Sequence, residues 1–103
     1  MEVKAGARRS GRTSFIIEEF LKDPRGSFII TASEVEARDV RQRLIDWGIA
    51  PDIAKRHVRN YQNQGQAWRG VPRLRILADN WDYMDKSRLG FSEEWVDVAT
   101  VEG

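Results

Sequence analysis

A chain of 103 residues and 11.9 kDa has room for one small domain, residues 1–103, built around a single core. Its 17 Lys and Arg nearly balance 16 Asp and Glu, and 41% of its residues are hydrophobic, a composition that excludes disordered and collagen-like chains. No cysteine is present, which excludes thiol nucleophiles, disulfides and cysteine-ligated metals, and the single histidine, His57, makes a Ser-His-Asp triad or a multi-histidine metal site an unpromising reading.

In chain order, Glu2-Val3-Lys4-Ala5 is a short first strand, meagre for a central position because only Val3 and Ala5 are apolar. Thr13 to Lys22 reads as a helix, with Ile16, Ile17, Phe20 and Leu21 on one stripe, and Asp23-Pro24-Arg25-Gly26 stops it. Residues Ser27 to Ala32 form a short β-branched run suited to a strand buried on both faces. Ser33 opens a second helix. Ser33 and Glu36 have capping-box spacing, Ala37, Val40, Leu44 and Trp47 form the buried stripe, and Gly48 stands at the left-handed C-terminal position. Residues 51–64 fit two readings, a helix from Pro51 with Ile53, His57 and Tyr61 recurring every four, or a strand over His57 to Tyr61. Leu74 to Ala78 is a further strand, residues 82–92 a loop or helical turn, and Trp95 to Ala99 a last strand. Strands alternating with helices over short connections predict an α/β domain with a mainly parallel sheet in three layers.

The sharpest local pattern is Gly6-Ala7-Arg8-Arg9-Ser10-Gly11-Arg12-Thr13, which fits G-x-x-x-x-G-K-[ST] except that Arg12 stands for lysine. Two glycines let successive N–H groups turn inward onto phosphate oxygens, and the helix that follows adds its positive end. Arg12 is then the cation facing the phosphates, Thr13 the hydroxyl that holds Mg²⁺, and Ser14 the next residue of the cradle. Asp79, ending the apolar run 74–78, has the form of the acidic residue that supports such a metal.

Residues 6–21, 27–40, 75–80 and 96–101, taken in order, resemble the first part of a RecA-like P-loop NTPase core. They are most similar to the small P-loop ATPases of tailed phages and to the start of helicase and terminase ATPase cores. The resemblance implies a small P-loop domain that binds ATP with Mg²⁺. It makes Gly6 to Thr13 the phosphate loop, Asp79 the metal-supporting aspartate, Arg12 and Asp79 the catalytic pair, and Ala99-Thr100 the third-strand motif. A phage-encoded chain of this kind works in the cytoplasm of a bacterial host. Three departures limit the activity implied. A planar guanidinium replaces the compact ammonium at Arg12, Asn80 stands where many such enzymes carry a water-activating glutamate, and no second lobe follows. Hydrolysis is therefore expected to be weak or dependent on a partner or on self-assembly, with Asp82 or Asp85 as substitute bases.

Other residues carry weaker signals. Residues 1–78 hold 15 basic and 9 acidic side chains, whereas 79–103 hold 2 and 7. Either the first part takes an anionic ligand or the two parts neutralise each other in the fold. Arg56, Arg59, Arg69, Arg73 and Arg75, with Tyr61 and Trp68, have the mixture of cations and rings that grips single-stranded nucleic acid. That supports a second reading: a non-enzymatic descendant of a P-loop fold that binds nucleic acid or a host protein through this face. His57 reads as a half-buried helix residue, and Trp47, Trp81 and Trp95 as core. Asp79, Asp82 and Asp85 are either a divalent-metal cluster or an acidic loop. No apolar run approaches the ~20 residues of a membrane span, and the first six residues lack the apolar stretch of a secretion signal, so a reducing, cytoplasm-like compartment is expected.

Overall fold

The computed structural model describes residues 1–6, 11–62 and 74–102. Within them run Glu2–Ala5 (β1), Arg12–Leu21 (α1), Ser27–Thr31 (β2), Glu34–Asp46 (α2), Pro51–His57 (α3), Val58–Asn60 (β3), Arg75–Ala78 (β4) and Val96–Val101 (β5). The strands form one sheet in the order β1-β5-β4-β2-β3, and every neighbouring pair is parallel. No helix among the described residues is long and apolar enough to cross a membrane.

The apolar run of β2 is wholly buried because it lies between β3 and β4, with Ile29 in register with both Val58 and Leu77. Alternate residues of the strands serve two cores. On one face Ile29, Val58, Leu77 and Val98 pack against Ile16, Ile17 and Phe20 of α1, Ala37, Val40 and Leu44 of α2, and Ala54 of α3. On the other, Phe28, Ile30, Ile76, Ala78, Val96 and Ala99 pack against Tyr61, Trp81 and Met84. Among the described residues that second face carries 3₁₀ turns at Trp81–Tyr83, Lys86–Arg88 and Glu93–Trp95.

A bulge in β5 keeps both faces apolar. Ile76 pairs with Val96 but Leu77 pairs with Val98, so Asp97 is the extra residue, and its carboxylate accepts the N–H of Ile76 at 2.9 Å. In the turn after α1 the Gly26 N–H donates to the Asp23 carboxylate at 3.1 Å, and the Asp23 side chain lies over the glycine where a Cβ would otherwise stand.

The two readings of residues 51–64 each hold over part of the stretch. Pro51 starts α3 at its first turn, and the chain passes at His57 directly into β3. The His57 ring is half-buried beside Phe20 and Phe28, with Nδ1 donating to the Ser27 carbonyl at 2.8 Å. Two tryptophans expected in the core are not there. Trp47, 71% exposed, lies at the C-terminal cap of α2 beyond the last buried turn, and Trp95, 46% exposed, stacks on Phe91 ahead of β5. Trp81 is buried as expected. Strand β1 is sparse in apolar residues for a plain reason. Among the described residues it sits at the sheet edge beside β5, and all four of its residues are exposed.

Candidate functional site

Three strand or helix ends converge on one cleft. At the end of β1 the N–H of Gly6 donates to the Val101 carbonyl, and the expected cradle residues Ala7, Arg8, Arg9 and Ser10 lie outside the described residues. The chain re-enters at Gly11, whose φ of 88° is the left-handed conformation that glycine adopts without strain, and α1 starts at once. Gly11 accepts the N–H of Phe15, so Arg12, Thr13 and Ser14 hold the first-turn N–H groups that have no intrahelical acceptor. Among the described residues no side chain caps this end, and no acidic residue lies in its first turn, so none of them compensates the positive pole of α1.

Thr13 and Asp79, 66 residues apart, meet here. The Thr13 hydroxyl donates to Oδ2 of Asp79 at 2.7 Å. Asp79 is 1% exposed because it caps the end of β4, where its N–H donates to the Ile30 carbonyl of β2. Its second oxygen, Oδ1, accepts the Thr100 hydroxyl of β5 at 2.7 Å, and that same hydroxyl oxygen accepts the N–H of Asn80 at 2.9 Å. Two hydroxyls thus fix both oxygens of a buried carboxylate, and the strand order places all of them at the C-terminal edge of the sheet, where open α/β folds bind their ligands.

Beside them Arg12 is only 8% exposed, and its Nη1 is buried with no hydrogen-bond partner among the described residues. A buried guanidinium nitrogen without an acceptor is costly unless an anion supplies one. Asn80 is buried and left-handed at φ 57°, and Nδ2 donates to Oε1 of Glu36 at 3.1 Å. The capping box is only half formed. Ser33 Oγ accepts the N–H of Glu36, but the Glu36 carboxylate accepts the N–H of Ala32 instead of returning to Ser33. Glu36 is thereby turned toward the sheet end. Gly11, Arg12, Thr13, Ser14, Glu36 and Asn80 line a cleft of about 660 Å³, within the size range of small-molecule sites. Tyr83 and Glu102 close one side, and the bond from the Tyr83 hydroxyl to the Glu102 carboxylate raises that phenol above its usual value.

No protein-family model, curated protein or solved structure matches this chain.

The cleft brings together Gly11, Arg12, Thr13 and Ser14 of the expected site, with Gly6 at the end of the strand that leads to it; Asp79 does not line the cleft and lies buried behind it, bonded to Thr13. It does not gather the three aspartates. Among the described residues no group of three or more potential ligands is placed to hold a metal ion. Asp82 accepts the N–H of Glu102, and Asp85 caps the next 3₁₀ turn through Ser87, each held to its own backbone segment. The basic face is also reduced. Tyr61 is 5% exposed and packs in the core, so its ring is not open for stacking. Arg56 pairs with Asp52, and Arg75 with the buried Glu19. Arg59 is half-buried, while Trp68, Arg69 and Arg73 lie outside the described residues.

Glu36 is the site residue that sequence reasoning missed. Its spacing from Ser33 gave it a complete local role as a cap, and nothing in the sequence sets β2 beside β4, the neighbour relation that brings Glu36 to Asn80.

Proposed function

We propose that this chain is a P-loop-type domain that binds a nucleoside triphosphate, ATP being the first to test, together with Mg²⁺. The observation that carries the reading is the 2.7 Å bond between Thr13 and Asp79 beside the open first turn of α1. A hydroxyl and a carboxylate held side by side next to free helix N–H groups suit a polyphosphate and its metal at once. The residues present fit Mg²⁺, which takes oxygen ligands and is commonly held by one or two protein groups with the rest supplied by phosphate and water. Thr13 and Asp79 would hold it, and when bound it neutralises charge on the phosphate oxygens.

The chain's own residues take the remaining roles. The N–H groups of Arg12, Thr13 and Ser14 bind phosphate oxygens, and the Arg12 guanidinium supplies the positive charge. Its buried Nη1, unpartnered among the described residues, favours a bound anion. Asn80 has no basic oxygen, but it anchors Glu36, a carboxylate lining the same cleft. Glu36 is accordingly the general base: it takes a proton from a water that attacks the terminal phosphorus, and the nucleoside diphosphate leaves. Asp82 and Asp85 are not needed for this step.

Calorimetric titration of Mg-ATP into the protein and into Arg12→Ala tests the reading. Saturable heat in the first and its loss in the second is expected. The absence of heat from the parent protein at millimolar nucleotide sinks it.

A further inference from the structure

We infer that β1 is a homodimerisation edge, along which two copies of the chain join their sheets through antiparallel β1 strands. The two edges of the sheet differ. At β3 the strand is three residues long, largely buried, and the Val58 carbonyl is taken by Nε and Nη2 of Arg41. At β1 all four residues are exposed, with Met1 and Val3 58% and 52% exposed, and no described side chain bonds to the outer edge. An uncovered edge of this kind presents a row of backbone donors and acceptors ready to pair with another strand.

The backbone fixes which groups face outward. Gly6 donates its N–H to Val101 of β5, and peptide groups alternate along a strand. Glu2 and Lys4 therefore turn their N–H and C=O toward β5, and Met1, Val3 and Ala5 turn theirs to the open side. An antiparallel partner satisfies them when Val3 faces its own copy, because Val3 then exchanges both bonds with Val3 of the second chain and Ala5 lies opposite Met1. In that register Glu2 of each chain lies opposite Lys4 of the other at the non-hydrogen-bonded positions, where side chains approach most closely. One short strand is thus self-complementary in backbone, in charge and in its apolar residues, as a two-fold interface requires. An edge of single charge sign would repel a second copy, and this one attracts it. The occupant is a second copy rather than an unrelated strand because the centred register pairs Glu2 with Lys4 twice.

Sedimentation equilibrium over a range of protein concentrations tests this, with circular dichroism to confirm that each variant is folded. The parent protein is expected to show a monomer–dimer equilibrium. Lys4→Glu and Glu2→Lys each set like charges opposite each other twice, and each weakens the dimer by roughly tenfold. The double variant Glu2→Lys/Lys4→Glu restores it. Val3→Pro removes an outward N–H without taking a bond from β5, a position where proline is tolerated, and yields a folded monomer. A parent protein that is monomeric throughout, a dimer that survives Val3→Pro, or a double variant no better than the single ones each overturns the assignment.

Discussion

Asn80 donates from Nδ2 to Oε1 of Glu36 at 3.1 Å, linking the turn after β4 to the first turn of α2. The bond ends a continuous chain of contacts. Thr13 holds Asp79, Asp79 accepts Thr100, Thr100 accepts the N–H of Asn80, and Asn80 holds Glu36. Asn80 reaches both partners because its backbone is left-handed, a conformation asparagine tolerates better than most residues. Asn80, at the end of β4, thus positions a carboxylate from the first turn of α2.

If the chain binds and hydrolyses Mg-ATP as proposed, Glu36→Gln is expected to separate the two. Glutamine preserves the shape, its oxygen can keep the bond from the Ala32 N–H and its NH₂ can donate to Asn80 once that amide turns its oxygen inward, but it cannot take a proton from water. Mg-ATP affinity is expected within about threefold of the parent, with any phosphate release slowed by about 10²–10⁴-fold, the usual contribution of a general base. Calorimetry and a phosphate-release assay read the two effects separately. Equal turnover in parent and variant removes Glu36 from the chemistry.

The Asp79 end of the Thr13–Asp79 bond should fail differently from Arg12. Arg12→Ala deletes a charged donor at the cleft and is expected to weaken nucleotide binding by about 10–100-fold, the equivalent of one charge-assisted hydrogen bond. Asp79→Ala leaves the buried Thr100 hydroxyl without its acceptor as well, so it costs about 1–3 kcal/mol of stability besides binding. Thermal melts of both variants without nucleotide check the contrast. A Tm for Asp79→Ala equal to that of the parent contradicts a structural role for the carboxylate.

Much of the scaffold was legible from residue pattern, since β2, α1 and α2 announce themselves by apolar run, stripe and cap, and their short connections require a parallel sheet. Asp79 was legible for a similar reason, being the polar residue at the end of an apolar strand. What escaped depends on lateral order in the sheet. The edge position of β1 follows from β5 inserting beside it, and the orientation of Glu36 follows from β2 lying next to β4. Trp47 misled because its helical phase continues the buried stripe one turn beyond Leu44, the last buried residue of α2, to the exposed C-terminal cap.

Among the carboxylates held below their ordinary values, Glu34 and Glu19 make stability fall in acid. Glu34 is held below its ordinary value of 4.5 by the bond from Arg41 and then that from Asn60, and Glu19 is lowered chiefly by its bond from Lys22, against the opposing effect of burial. Below about pH 4.5 the unfolded chain binds protons that the folded one resists, so their contribution is present above that pH and lost as pH falls through the folded-state values. Chemical denaturation from pH 6 down to pH 3 should show this decline. Glu34→Gln should flatten it, and an unchanged slope in that variant removes Glu34 as a source.

Arg41 is the remaining structural arginine that its sequence position did not reveal. It lies on α2, yet Nε and Nη2 donate to the Val58 carbonyl at 3.0 and 2.9 Å while Nη1 donates to Glu34 at 2.9 Å. Its side chain is 19% exposed, so these bonds are largely shielded from water, unlike the exposed Arg43–Asp39 pair on the same helix. Removing it leaves the β3 carbonyl and a carboxylate without a shared donor. Arg41→Ala is expected to cost about 2 kcal/mol and to lower Tm by roughly 10 °C, whereas Arg43→Ala should stay within about 0.5 kcal/mol. Arg41→Lys should recover only part of the loss, because one ammonium cannot reproduce the fork that serves two acceptors. Urea denaturation of the three variants decides it, and full recovery by lysine would show that charge alone, not the guanidinium geometry, holds β3 to α2.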